Sequence, residues 1–136
     1  MVRSGIIDVF LPANNDVLCH LNDEAVPLLA RREKTTRSAA QVALWKAHLE
    51  GAVIVIGNAP TALFALLEAL DQGAPKPAAI IACPVGFVGA TESKAELAAN
   101  PRDVPFITVT GRKGGSAIAS AAFNAVSKIA RDKLAA

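Results

Sequence analysis

At 136 residues the chain has the length of one ordinary domain and can bury a core of its own. With 52% hydrophobic and 19% charged residues it cannot be disordered in the main. A net charge of +2 with interspersed signs, and only five Phe, one Trp and no Tyr, argue against an electrostatic or base-stacking nucleic-acid binder.

Residues 1–30 carry the weakest pattern. Ile6 to Leu11 is a candidate edge strand with Asp8 inside it, which makes a poor signal peptide. Val17 to Leu21 is a second candidate strand after the turn-like Pro12-Ala13-Asn14-Asn15-Asp16. His20 alternates with apolar neighbours in that stretch. That pattern allows a place in a cleft, but a hydrogen-bonded structural or surface histidine is the preferred reading. Cys19 and Cys83 lie far apart without C-x-x-C spacing, so buried thiols are expected rather than a disulfide, and a zinc site has no support. No run of 18 or more apolar residues occurs, so no spanning helix is expected and the sequence reads as soluble and cytoplasmic.

Helical spacing begins after Thr35 or Thr36, either of which can cap, and runs from Ser38 to Leu49 without Gly or Pro. Ala39, Val42, Ala43 and Leu49 supply the packing face, while Arg37, Gln41 and His48 share the other and put His48 on the solvent side. Arg37 stands in the first turn, where a cation opposes the helix dipole; a bound anion explains that placement as well as free solvation does. The pair Arg31-Arg32 reads as solvated surface.

The stretch Ala52 to Ile56 is a short β-branched run of the kind buried on both faces. It stops at Gly57-Asn58-Ala59-Pro60, and a helix follows from Thr61 to Gly73 with Leu63, Phe64, Leu66, Leu67 and Leu70 available for packing. Ala78 to Ala82 is the next strand, followed by Cys83-Pro84-Val85-Gly86-Phe87-Val88-Gly89-Ala90 and a helix over Thr91 to Ala99 with Thr91 as cap. The last strand, Val104 to Val109, runs into Thr110-Gly111-Arg112-Lys113-Gly114-Gly115-Ser116. The final helix extends to about Arg131. Its apolar stripe is Ile118, Ala122, Ala125, Val126 and Ile129; the opposite stripe, Ser116, Ser120, Asn124 and Ser127, is small and polar.

Strands alternating with helices predict an α/β fold: a single doubly wound domain over residues 1–136, with a mostly parallel sheet and helices on both faces. Three βα turns then emerge at one sheet edge, each with a helix N-terminus, and the last adds two cations and three glycines. That edge suits several negative groups on one ligand. The phosphate-loop, dinucleotide and esterase-elbow patterns are absent, so a phosphometabolite-binding protein has little support. Turn geometry alone accounts for the glycines.

The stretches IGNAPTALFALLE, PAAIIACPVGFVGATESKAEL and VPFITVTGRKGGSAIASAAFNAV resemble, in order, the signature segments of the precorrin-8X methylmutase (precorrin isomerase) family. The upstream TTRSAAQVALWKAHLEGAVIVIGNAP is similar to the same family, and the likeness runs from about residue 10 to 128. The resemblance implies an isomerase of cobalamin biosynthesis that moves the methyl group of precorrin-8X from C-11 to C-12. Its product is hydrogenobyrinic acid, or the cobalt-containing equivalent. No cofactor or metal is implied, and the family's usual state is a homodimer with clefts near the interface. The corrinoid's acetate and propionate carboxylates suit helix N-termini and Arg side chains. By position in the motifs, the implied substrate-binding residues are Thr36, Arg37, Ser38, Asn58, Ala59, Thr61, Arg112, Gly115 and Ser116, with Lys94 and Val85-Gly86-Phe87 as second choices. Family members carry a proton-handling His in an N-terminal region, and this sequence resembles a member from its middle onward, so an N-terminally shortened chain is expected. Neither His20 nor His48 lies in a matching motif and no catalytic residue is assigned. A non-catalytic corrinoid-binding remnant is the alternative reading.

Overall fold

The computed structural model describes residues 1–135. Its centre is a parallel sheet of β1 (Val53–Ile56), β2 (Ala79–Ala82) and β3 (Phe106–Thr108) in that spatial order. Val53 stands opposite Ala79, and Ile80 opposite Phe106. These are the short, β-branched runs expected of strands covered on both sides.

The first helices are α1 (Val2–Gly5), α2 (Ala25–Arg32) and α3 (Arg37–Ala40); α4 (Pro60–Asp71) joins β1 to β2, α5 (Ala90–Ala99) joins β2 to β3, and α6 (Ser116–Ala135) follows β3. Helices α4 and α5 cover one face of the sheet, where Leu63, Leu66, Leu67, Leu70 and Leu97 pack with Ile54, Ile56, Ile80 and Ala82. The other face carries α1 and α6: Ile81, Cys83 and Ala119 are buried there, with Val2, Val55 and Phe123 against them. The α/β fold with helices on both faces is therefore as the alternation predicts.

Local chemistry explains the ends of α4. Pro60 occupies its first turn, where the missing N–H costs nothing, and Gly73, at φ +92, lets the chain turn away after it. Its buried stripe is the leucines at i, i+3, i+4 and i+7. Phe64, expected in the packing, lies one position off that stripe and is 41% exposed. The cap of α5 is Gly89 and not Thr91, because the chain enters the helix through a left-handed residue at φ +81.

Three expectations for the first half fail. Ile6 to Leu11 forms no strand but a 3-10 turn over Asp8–Phe10. Val17 to Leu21 is irregular, since no strand among the described residues lies beside it. The helix expected over Ser38 to Leu49 is α3 followed by a 3-10 segment over Gln41–His48. That tighter winding stacks residues three apart, leaves Ala43 exposed, and keeps Val42 and Leu49 in the core.

Helix α6 is turned opposite to its apolar pattern. Ile118, Val126 and Ile129 are 42%, 39% and 57% exposed, whereas Ser120 and Ser127 are each 5% exposed. The reason is the irregular chain before residue 11, whose backbone groups need partners. Ser127 Oγ donates to Phe10 O at 2.9 Å, Asn124 Nδ2 donates to Gly5 O at 2.9 Å, and Ile7 N–H donates to Asn124 Oδ1 at 3.0 Å. The polar stripe is consumed as the docking face for residues 5–10.

Candidate functional site at the carboxyl edge of the sheet

The three βα turns meet at the carboxyl ends of the strands, and backbone bonds join them. Val85 N–H donates to Asn58 O at 3.3 Å, Gly86 N–H to Arg112 O at 3.1 Å, and Gly115 N–H to Cys83 O at 2.8 Å. Gly114 lies so close to the Cys83 and Pro84 carbonyls that an added Cβ would collide with them. A glycine is required there by contact, whether or not a ligand binds.

Side chains add to this frame. Asn58 Nδ2 donates to Ser116 Oγ at 2.8 Å, joining the first turn to the start of α6. Thr36 caps α3 by accepting from Ala39 N–H at 3.1 Å, and its hydroxyl pairs with that of Thr61 at 2.8 Å. The Arg112 guanidinium sits 5.0 Å from the centre of the Phe87 ring. Phe87 and Val88 are 79% and 92% exposed, which gives this edge an apolar rim beside a cation.

Lys94 is more deeply placed than its motif suggests. Its side chain is 1% exposed and its Nζ donates to Lys113 O at 2.6 Å. It thus braces the last turn from underneath. Burial pushes its ammonium below the ordinary lysine range, partly opposed by the Cys83 thiol, which burial pushes up. Both cysteines are free; Cys83 is buried and Cys19 exposed.

A cavity of ≈ 510 Å³ opens beside β1, and Ser38, Asn58, Ala59 and Ser116 line it. Thr36 and Thr61 are outside its lining and pair with each other through their hydroxyls, while Arg112 and Gly115 lie on the last turn. Arg37 is set apart. It joins Arg31, Lys34 and Thr35 around a separate recess of ≈ 340 Å³, and it makes no ion pair among the described residues. His20 and His48 were not assigned, yet both line the larger cavity with their rings stacked at 5.9 Å. The signal available in the sequence was the alternation of His20 in its apolar stretch; the pairing itself depends on the 3-10 winding. Among the described residues no three His, Cys, Asp or Glu side chains cluster as a metal site, and no helix is long and apolar enough to cross a membrane.

The family model described as precorrin-8X methylmutase matches residues 1–129. The chain is 60% identical over 126 residues to the precorrin-8X methylmutase of Pseudomonas aeruginosa, covering 93% of this chain and 61% of that protein. It is 56% identical to the protein of the same name from Sinorhizobium sp, again covering 61% of its length, and 44% identical to the cobalt-precorrin-8 methylmutase of Priestia megaterium, covering 85% of this chain and 50% of that protein. The crystal structure of precorrin-8x methyl mutase from Thermus thermophilus superposes with a TM-score of 0.84 at 42% identity, covering 98% of this chain and 64% of that one. The chain thus spans about three-fifths of the length of these first relatives.

Proposed function

From the premise that the chain belongs to the precorrin-8X methylmutase family, we propose that it serves the isomerisation of precorrin-8X to hydrogenobyrinic acid, a methyl shift from C-11 to C-12. The observation that carries this reading is the welded edge itself. Three helix N-termini, the Asn58–Ser116 pair and Arg112 over Phe87 lie along one edge and offer the donors, the cation and the apolar surface that a flat apolar ring with peripheral carboxylates calls for. The ring would lie against Phe87 and Val88. Carboxylates would take hydrogen bonds from Asn58, Thr61, Ser116, the Arg112 guanidinium and the backbone around Gly115, with Thr36, Ser38 and Ala59 completing the wall. The metal-free substrate is favoured over its cobalt form because the relatives at 60% and 56% identity are the ones named for precorrin-8X.

The chemistry asked of the protein is modest in kind. It must hold the ring in one tautomer and orientation, exclude water from it, and control one proton as the methyl migrates. The turns described above do the holding. Two further features belong to this reading: a cytoplasmic location, and a homodimer supported by the outward stripe of Ile118, Val126 and Ile129.

The test is a visible spectrum recorded with time after mixing the protein with precorrin-8X and, separately, with hydrogenobyrinic acid. Conversion is expected. A stable shifted spectrum without conversion would assign the chain a binding role only, and no response to either compound would overturn the reading. Replacing Arg112 with Ala is expected to weaken corrinoid binding about tenfold, ~1.4 kcal/mol, the scale of one charge-assisted hydrogen bond. Arg37→Ala is expected to weaken it less, because Arg37 lines the separate recess; unchanged affinity removes Arg37 from the site.

A further inference from the structure

Among the described residues Lys94 is the largest side chain that is fully buried. It projects from α5 toward the last turn, where its Nζ donates to the Lys113 carbonyl at 2.6 Å. No carboxylate of the described residues lies within ion-pair distance of it. Burying an ammonium without an acid partner is costly, and a neutral donor could make the same bond with less loss of hydration. Bracing the turn accounts for the hydrogen bond and leaves the charge unexplained.

The bond fixes the plane of one peptide unit. No described peptide bond is cis, so the C=O and N–H of the unit joining Lys113 to Gly114 point in opposite directions. With the carbonyl held inward by Lys94, the Gly114 N–H is aimed the other way, and it meets no acceptor among the described residues. The flanking units are pinned as well. The Arg112 carbonyl accepts from Gly86 N–H at 3.1 Å, and Gly115 N–H donates to the Cys83 carbonyl at 2.8 Å. Arg112 and Lys113 are exposed on the same turn, so the outward N–H stands among cations. An ammonium bonded to a peptide carbonyl also polarises that peptide, which strengthens its N–H as a donor.

We propose that Lys94 is a positioning residue for the ligand: through the Lys113 carbonyl its ammonium turns the Gly114 N–H outward and strengthens it as a donor to one corrinoid carboxylate. The proposal rests on the reading of this edge as a corrinoid site. It adds a backbone donor to those the side chains supply, and it explains why a lysine and not a neutral residue is buried beneath the turn. Lys94 itself touches no ligand and acts through the peptide.

The test follows backbone amides by NMR while hydrogenobyrinic acid is added. The Gly114 amide proton is expected to move downfield, as it does on entering a stronger hydrogen bond. A ligand that shifts amides of the other turns and leaves Gly114 in place overturns the proposal and spares the functional reading. If hydrogenobyrinic acid shifts no amide at all, the functional reading falls, and the titration is repeated with tricarballylate, a small tricarboxylate. Gly114 moved by it sustains the donor; Gly114 unmoved overturns the proposal too. The variant Lys94→Met keeps nearly the same length without charge or donor. It is expected to bind the ligand that shifts Gly114 at least about tenfold more weakly, the scale of a hydrogen bond involving a charged group. Gly115 should meanwhile keep its protection from hydrogen exchange through the Cys83 bond. Undiminished binding overturns the proposal. So does weakened binding in which Gly115 also loses protection, because Lys94 would then only hold the turn together. If this variant does not fold, the Gly114 shift in the unaltered protein decides.

Discussion

The two faces of the sheet are built by different means. Beneath α4 and α5 the contact is leucine and isoleucine, interlocked side chain to side chain. Beneath α6 and α1 it is small residues and hydrogen bonds: Ala119 and Ser120 are buried, and Gly5 comes so near Ser120 that a Cβ there would collide with its hydroxyl group. The first face gains stability from apolar area, the second from close backbone approach. The difference matters for function, because the turns at the sheet's edge draw on both. Asn58 begins from the leucine-packed side and Ser116 from the small-residue side, and their bond joins the two.

Breaking the first face should have the largest effect. Leu66→Ala deletes a fully buried side chain and is expected to cost about 2–5 kcal/mol in chemical denaturation, with the unfolding slope unchanged. Gly114→Ala comes next, at about 1–3 kcal/mol, since the new Cβ must displace the Cys83 and Pro84 carbonyls. It should also lower corrinoid affinity, which a simple core cavity such as Leu66→Ala would do only by unfolding. On the second face, Ser127→Ala leaves the Phe10 carbonyl without its donor and is expected to cost about 1 kcal/mol. A loss as large as that of Leu66→Ala would show that the two faces are not built differently after all.

The smallest effect is electrostatic and compares ties on the two sides. Arg102, at 12% side-chain exposure, holds Asp71 at the end of α4 through two 2.9 Å bonds and Glu96 of α5 at 3.0 Å. Its hydrogen bonds hold the Asp71 carboxyl below the usual carboxylate range. On α6, Lys128 and Arg131 do the same for Asp132. A depressed folded value means that each contribution is present above the unfolded carboxylate range and is lost as pH falls through the folded value. Asp71→Asn should therefore flatten the acid limb of stability against pH. Asp132→Asn should flatten it less, because among the described residues Asp132 pairs only within its own helix. Thermal midpoints across the acid range measure both.

Much of the fold was legible before any coordinates. Ala52 to Ile56, the turn through Pro60 and the leucines of α4 are local patterns whose burial follows from their own periodicity, and the three turns do share one edge. Asn58 meets Ser116 and Thr36 meets Thr61 as hydrogen-bonded pairs. Arg37 was legible as an unpaired cation but not as a member of a recess with Arg31 and Lys34. That grouping depends on how α2 and α3 cross. Lys94 was legible only as a second-choice binding residue by its place in a motif. Its burial follows from a carbonyl on a turn nineteen positions away.

From β1 onward the sequence by itself determined the order of strands and helices, the parallel sheet and the convergence of the turns, because helix periodicity, β-branched runs and glycine punctuation act over a few residues. Tertiary structure alone decided which side of α6 faces inward. Hydrophobic periodicity points to Ile118, Val126 and Ile129, but an irregular backbone over residues 5–10 needed donors and acceptors more than the sheet needed a third apolar stripe. It also decided that β1 stands at the end of the strand order among the described residues, because a strand carries the same residues whether it is paired once or twice.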